Sequence, residues 1–165
     1  MSVGPLVAVF LGTDHHRFDR LLGWARQLEL QGTAHFLVQH GYTPLPGGLM
    51  GESMFDQRAM ADVLDHAAAV VTHGGPGSIM DAREHGHLPV VVPRDPRWGE
   101  HVDGHQLDFA RHLEHTGTVR TAYDLPTFCA RLDEAVHAGR GPATGSTPTR
   151  TIDRFEALVE ELVRR

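Results

Sequence analysis

The stretch AVVTHGGPGSIMDAREHGHLPVVVP, residues 69–93, decides the fold. It opens with an apolar run at 69–72, passes through a glycine-rich turn at 73–78 and a helical pattern at 79–85, and closes with a second apolar run at 89–92. Continuous apolar runs of this length are typical of strands buried on both faces. Strand, helix and strand in this order predict a pair of parallel strands joined by a right-handed crossover.

The same alternation continues on both sides of this unit. The other predicted elements, in chain order, are a strand at 6–11, a helix at 18–28, a strand at 34–39, a Gly/Pro-rich loop at 42–52, a helix at 60–67, a polar loop at 93–104, a helix at 106–114, a strand at 118–121 and a helix from Asp124 to about His137. Five strands alternating with helices predict an α/β fold, a Rossmann-like open parallel sheet with helices on both faces.

The chain of 165 residues is long enough for one such domain. We predict that residues 1–138 form it, that the low-complexity segment GRGPATGSTPTR at 139–150 is a flexible linker, and that 151–165 form a C-terminal amphipathic helix. This helix either folds back on the sheet or is offered to a partner.

Composition excludes several classes of protein. The 15 basic residues, all arginine, against 21 acidic ones give a net charge of −6, which argues against a nucleic-acid partner. Without lysine, the chain can have neither a P-loop lysine nor a Schiff-base lysine. Cys129 alone supports no intramolecular disulfide and fits a reducing compartment. The apolar run near the start is too short for a signal peptide or a membrane span, so we expect a cytoplasmic protein.

Unusual residues cluster where predicted strands end. These clusters are Gly12-Thr13, 40–41, 73–78 and 93–106. Ligands of open parallel sheets bind outside the carboxyl ends of the strands, so one shared cleft is predicted there.

The turn at 73–78 has the chemistry of a phosphate site. Its glycines allow close approach of a ligand to the backbone, and Ser78 near a helix start can meet an anion there or serve as an ordinary N-cap. His73 can donate to a phosphate oxygen. Asp81 can accept hydrogen bonds from a ribose diol or be a solvated acid on the helix face.

Gly104 precedes a second helix start at the same predicted edge. His105 and Gln106 would then offer neutral donors and acceptors to sugar hydroxyls or to a diphosphate, or form an ordinary polar first turn.

The 13 histidines raise the question of a metal. His101 and His105 are spaced i, i+4, but the chain has no HExxH motif, no cysteine partner for them and no Asp-x-Asp pair to hold a divalent ion against a diphosphate. We therefore predict no metal and no other cofactor.

Residues 71–111, VTHGGPGSIMDAREHGHLPVVVPRDPRWGEHVDGHQLDFAR, resemble the C-terminal domain of glycosyltransferase family 28, the donor-binding half of GT-B glycosyltransferases. The GT pair after the first strand and the QHG turn at 39–41 extend the resemblance to about residues 6–137. Similar in length are small catalytic subunits of two-chain enzymes that make lipid-linked oligosaccharides or exopolysaccharides.

The resemblance implies one half of a GT-B fold and a UDP-sugar donor. It implies that eleven residues bind the donor: Gly12, Thr13, Phe55, His73, Gly74, Gly75, Gly77, Ser78, Asp81, His105 and Gln106. In the family pattern the glycine turn holds the diphosphate, Asp81 stands where an acid binds the uridine ribose, and Phe55 lies near the loop expected to hold the uracil. Asp81 replaces a more usual Glu, and residues 86–89 are one residue longer than the commonest form.

The 165 residues show no counterpart of the acceptor domain that normally precedes this half, so we expect that domain on a separate chain. The resemblance therefore implies a hexosyltransferase that is inactive alone and works with a membrane-anchored partner chain carrying the acceptor domain, with a lipid-linked acceptor. We expect Phe155, Leu158 and Leu162 to contact that partner. The general base is open: Asp14, His15 and His16 are the candidates in this chain, and the partner is the other source.

Two other functions remain open at this point. One is a non-catalytic UDP-sugar-binding module that regulates a partner. The other is a stand-alone nucleotide-sugar epimerase or hydrolase, which would turn over the free nucleotide sugar without a partner.

Overall fold

The computed structural model of the chain describes residues 4–141. Strands and helices alternate through this part of the chain: β1 (Leu6–Phe10), α1 (Asp19–Leu30), β2 (His35–Gln39), β3 (Met50–Glu52), α2 (Gln57–His66), β4 (Ala69–Thr72), α3 (Pro76–Glu84), β5 (Val90–Val91), a 3-10 turn (Pro96–Trp98), α4 (His105–Thr116), β6 (Arg120–Thr121) and α5 (Leu125–Ala138).

The strands form one parallel sheet in the order β3-β2-β1-β4-β5-β6. β1 and β4 are neighbours at its centre, with Val9 opposite Val71 and Phe10 opposite Thr72. From this pair the chain runs outward in one direction to β3 and in the other to β6. The predicted Rossmann-like fold is confirmed, and the β1–β4 boundary is the switch point at which such sheets bind ligands.

Alternate residues of the central strands pack on opposite faces of the sheet. Val7 and Val9 join the cluster that contains the buried side chains of α1 and α5. Ala8 and Phe10 pack on the other side, with Leu64 of α2 and Ala82 of α3. Because both faces are covered by helices, β1 reads as a continuous apolar run rather than an alternating one.

The prediction of a loop at 42–52 was wrong at its end, where β3 adds a sixth strand. β3 pairs with β2 at the edge of the sheet, and none of its three residues is buried, so it lacks the apolar pattern of a strand. Position 51 also requires glycine, because a Cβ there would overlap the carbonyl oxygen of Val38.

Helix α3 begins at Pro76, earlier than the predicted start at residue 79. Proline suits the first turn of a helix because its fixed φ is helical and its missing N–H would lack an intrahelical partner. Gly75 is therefore the N-cap, and Ser78 lies inside the first turn. This excludes the interpretation of Ser78 as an ordinary N-cap.

Helix α5 ends at Ala138, where the predicted linker begins. Most of that linker and the whole predicted helix at 151–165 lie outside the described residues. Between residues 4 and 141, none of the helices has the length and apolar character needed to cross a membrane.

Candidate functional site

The centre of the candidate site is the crevice between the ends of β1 and β4. The backbone N–H of His73, directly after β4, donates to the carbonyl oxygen of Phe10 at 3.0 Å, so the two strand ends are joined. Gly12 faces the His73 imidazole so closely that a Cβ on Gly12 would overlap the ring. The backbone of Gly12 also has a φ of +77°, which glycine adopts without strain.

His73 is buried, with 8% of its surface exposed, and both ring nitrogens have partners. Nδ1 accepts from the Gly75 backbone N–H at 3.1 Å and lies 3.2 Å from the Gln106 amide nitrogen. Since Nδ1 is an acceptor, the proton of the neutral ring belongs on Nε2, which lies 3.2 Å from the Ser78 hydroxyl oxygen. His73 then donates to Ser78 and leaves the Ser78 proton available for an outside acceptor.

Burial, reinforced by the positive charge of Arg94, lowers the pKa of His73 from 6.5 to about 3. The ring is therefore neutral at physiological pH. Its single N–H is directed at Ser78, so in this geometry His73 orients the serine and has no second N–H to offer a ligand.

Gln106, the second residue of α4, joins three segments. Its side-chain oxygen accepts from the backbone N–H groups of Gly74 and Arg94, both at 3.0 Å. Gly74 packs against the same side chain, because a Cβ there would lie 2.8 Å from the Gln106 Cβ. The Gln106 amide nitrogen carries a second hydrogen beyond the one that faces His73.

The start of α3 is arranged as an anion site. No side chain within residues 4–141 caps this helix, so the N–H groups of its first turn have no side-chain acceptor there. Gly77 is exposed, and nothing within the described residues would lie within 4 Å of a Cβ there. A phosphate can thus approach the N–H groups of Gly77 and Ser78 and the Ser78 hydroxyl together.

Three other predicted donor residues differ in burial and contacts. Asp81, in the second turn of α3, is half-buried, and that burial raises its pKa. His105 is exposed at the first position of α4, with Nδ1 2.9 Å from an Asp103 carboxylate oxygen. Phe55 is half-buried and packs edge-to-face on Phe10 with ring centroids 6.4 Å apart, so part of the predicted uracil loop belongs to the core.

The loop after β1 contains Thr13, which is exposed, and the three candidate bases. Asp14 accepts from the His16 backbone N–H at 2.7 Å and lies 2.6 Å from the His16 Nδ1 with the same oxygen. One ligand atom from each of Asp14, His15 and His16 lies within 4.8 Å of the other two. The structure thus brings the three together, and they are also the residues here that could hold a metal.

Sequence reasoning missed Arg94, which is 1% exposed at the end of β5. Its guanidinium donates to the carbonyl oxygens of Leu11 at 2.7 Å, His16 at 2.7 Å and Glu100 at 2.9 Å. It also lies over the Phe18 ring, 5.0 Å from the centroid. Arg94 therefore holds the loop after β1 to the loop after β5. The signal in the sequence was a charged residue two positions after a predicted buried strand, in the 93–106 cluster at the edge where the cleft was predicted.

The depressed pKa of His73 makes a testable contribution to stability. A histidine with a folded pKa near 3 and an unfolded pKa of 6.5 stabilises the fold fully above pH 6.5, and the contribution is lost as the pH falls toward 3. As the pH falls from 7 to 5, protonation of His73 in the unfolded chain lowers the free energy of unfolding by about 2 kcal/mol.

Denaturant unfolding of the wild type and His73→Gln at the two pH values checks this. The variant should lose less stability on acidification because it lacks the His73 ring. It should still lose some, since burial also lowers the pKa of His87, which both proteins retain. Carboxyl groups with lowered pKa values lose their contributions to the free energy of unfolding below pH 5, outside the range compared. Equal pH dependence in the two proteins would contradict the assignment of a buried neutral ring.

Comparison with known proteins places this site in a family. A family model described as glycosyltransferase family 28 C-terminal domain matches residues 7–144. A search of curated proteins found no match.

Solved structures with the same fold include glycosyltransferases. The glycosyltransferase of kitacinnamycin is 18% identical with a TM-score of 0.61, and the match covers 98% of this chain and 40% of that one. The calicheamicin glycosyltransferase CalG4 is 18% identical with a TM-score of 0.56, covering 97% and 39%. ALG13 is 18% identical with a TM-score of 0.55, covering 84% and 89%.

The chain thus spans about two-fifths of the length of the first two structures and most of the length of ALG13. At this identity the structures show a shared fold, while the family match covers most of the chain and includes both strand ends of the crevice. The chain therefore belongs to the glycosyltransferase family 28 C-terminal domain family.

Proposed function

We propose that this chain is the donor-binding subunit of a glycosyltransferase that transfers a hexose from a UDP-sugar to an acceptor hydroxyl. One observation carries the proposal. At the switch point of the sheet, the buried neutral His73 orients the Ser78 hydroxyl beside the uncapped start of α3. This arrangement suits the diphosphate of a nucleotide sugar, and it occurs in a glycosyltransferase domain.

The proposed reaction breaks the bond between the anomeric carbon and the diphosphate and forms a bond from that carbon to the acceptor oxygen. The electron pair of the broken bond leaves with UDP, so negative charge accumulates at the β-phosphate. Helix N–H groups and the Ser78 hydroxyl are placed to stabilise that charge, and we propose that no divalent ion is needed for donor binding.

The acceptor hydroxyl must lose its proton to a general base. Within this chain we propose the loop after β1, with Asp14, His15 and His16, as the candidate source. Asp14 holds one ring nitrogen of His16 at 2.6 Å, an arrangement that can orient an imidazole for proton transfer. A base supplied by a partner chain is the other possibility carried by the proposal.

A partner is part of the proposal because a glycosyltransferase must hold donor and acceptor in one cleft. The described residues form one sheet, and the match spans 40% of the kitacinnamycin enzyme. We propose that a membrane-anchored second chain supplies the acceptor domain for a lipid-linked acceptor, and that this chain works in the cytoplasm at the membrane through that partner.

UDP should raise the melting temperature of the full chain, and EDTA should leave the UDP-induced increase unchanged. At about 100 times its dissociation constant, UDP should add roughly 2.7 kcal/mol to the free energy of unfolding. Thermal unfolding with UDP, UDP-glucose and UDP-N-acetylglucosamine at millimolar concentration measures this. No shift with any of the three would refute the donor site.

Ser78→Ala should weaken UDP binding by about 10- to 100-fold, because one charge-assisted hydrogen bond contributes roughly 1.5–3 kcal/mol. The matched control is Thr33→Ala, which removes an exposed hydroxyl just before β2, at the amino edge of the sheet. Calorimetric titration of both variants with UDP compares them. Wild-type affinity in Ser78→Ala would place the diphosphate elsewhere.

Sugar transfer to a lipid acceptor should require both chains. Co-expression with the candidate membrane chain, followed by a transfer assay with each chain alone and with the pair, separates three outcomes. Transfer by this chain alone would refute the two-chain proposal. UDP-sugar binding without transfer by the pair would favour a regulatory module. Turnover of free UDP-sugar without a partner would favour an epimerase or hydrolase.

Deleting residues 151–165 should reduce co-purification if that segment docks on the partner.

A further inference from the structure

Three potential metal ligands cluster in the loop after β1, and a fourth approaches one of them from the loop after β5. Asp14, His15 and His16 come from the first loop, with one ligand atom each within 4.8 Å of the others. His101 comes from the second loop, and its Nε2 lies 3.4 Å from the other carboxylate oxygen of Asp14. The rings of His16 and His101 are stacked at 6.3 Å between centroids. Sequence spacing alone paired His101 with His105, whereas the fold pairs it with Asp14.

We propose that Asp14, His15, His16 and His101 form a binding site for a transition-metal ion of the Zn²⁺ class. Three imidazoles and one carboxylate are the ligand types that zinc takes in tetrahedral sites, whereas Mg²⁺ and Ca²⁺ prefer oxygen ligands. The site uses the three candidate bases of the loop after β1, so an ion bound there would leave the general base to the partner chain. Its ligand set differs from the oxygen-rich sites that hold a divalent ion against a diphosphate.

The outer partners of His101 fit this role. Its Nδ1 lies 3.3 Å from a carboxylate oxygen of Asp103 and accepts from the Asp103 backbone N–H, also at 3.3 Å, while its Nε2 faces Asp14. A metal-binding histidine commonly donates its second ring N–H to a carboxylate. An ion bound at Nε2 would place the proton on Nδ1 and so select the carboxylate contact over the contact with the backbone N–H.

The two loops are also held in place before any ion binds. Arg94, buried beneath them, donates from one guanidinium nitrogen to the carbonyl oxygens of His16 and Glu100. Glu100 in turn binds Arg20 at 2.9 Å, and its side chain is 3% exposed. A ligand set drawn from two loops that are already joined requires less ordering on binding.

Calorimetric titration of the tag-free, chelator-treated full chain with ZnCl₂ tests the site. We expect one equivalent of Zn²⁺ to bind, and Co²⁺ to give the intense visible absorption of a tetrahedral complex. His101→Gln and His15→Ala should each lower the Zn²⁺ affinity at least tenfold, and Asp103→Asn should lower it about tenfold. Because His15 is exposed, its replacement leaves the core intact.

The matched control is His112→Ala, which removes an exposed histidine from α4 and should leave Zn²⁺ binding unchanged. Absence of Zn²⁺ binding by the wild type overturns the proposal. So does an unchanged affinity in the folded His15→Ala/His101→Gln double variant, which would assign binding to the other histidines. UDP titration of the same variants is a separate readout, so failure of the metal site and failure of the donor site are distinguishable.

Discussion

Replacement of Arg94 by methionine should lower the free energy of unfolding by about 3–5 kcal/mol. Methionine matches the aliphatic part of the arginine side chain but cannot donate, so it leaves the carbonyl oxygens of Leu11, His16 and Glu100 without the donor that now satisfies them. Buried polar groups that lose their partner cannot recover the hydrogen bonds they make with water in the unfolded chain. Denaturant unfolding monitored by circular dichroism measures the change.

Arg17→Met is the matched control for this experiment. Arg17 lies in the loop after β1, its side chain is 63% exposed, and it pairs at 2.9 Å with Asp19, whose side chain is 57% exposed. An exposed ion pair contributes little to stability, so this variant should unfold close to the wild type. If Arg94→Met also did so, the buried guanidinium would not be what joins the two loops.

The central strands and the covering helices could be predicted from local sequence. Strands buried on both faces have continuous apolar runs, and helices that pack on a sheet have apolar residues with a period of 3.6. Asp124 was also readable as a cap, and its carboxylate accepts from the Thr127 backbone N–H at 2.8 Å. β3 escaped prediction because it is short, exposed and at an edge, so its identity as a strand depends on pairing with β2. Such pairing is a property of the folded sheet and leaves no local pattern.

The location of the candidate site followed from the fold class, since strand ends bring separate loops to one edge. Which of its residues face a ligand and which position other residues did not follow from the fold class. His73 and Gln106 read as ligand donors in sequence, whereas their side chains mainly bind one another and the surrounding backbone. A hydrogen bond between residues more than thirty positions apart has no signature in spacing, and neither has the buried network around Arg94.

The second large effect expected is that of Gly12→Ala, with a loss of about 3–5 kcal/mol in the free energy of unfolding. Two causes combine at this position. The φ of +77° is unfavourable for any residue with a Cβ, and the new methyl group would overlap the buried His73 ring. The ring cannot move aside easily, because Gly75, Ser78 and Gln106 all bind it.

Gly32→Ala separates the two causes. Gly32 has a φ of +74°, and among the described residues no heavy atom would lie within 4 Å of a Cβ there. This control therefore measures the backbone strain alone, expected at about 1–2 kcal/mol. The excess in Gly12→Ala reports the collision with His73.

A double-mutant cycle identifies that collision directly. His73→Ala removes the ring, so adding Gly12→Ala in that background should be less damaging than in the wild type, by about 1–3 kcal/mol. Denaturant unfolding of the four proteins gives the coupling free energy. Strict additivity would mean that Gly12 is needed for its backbone conformation alone, and UDP affinities measured on Gly12→Ala, if it folds, would then be expected to match the wild type. With coupling present, the variant should also bind UDP more weakly, because displacing the ring redirects the Ser78 hydroxyl that His73 holds.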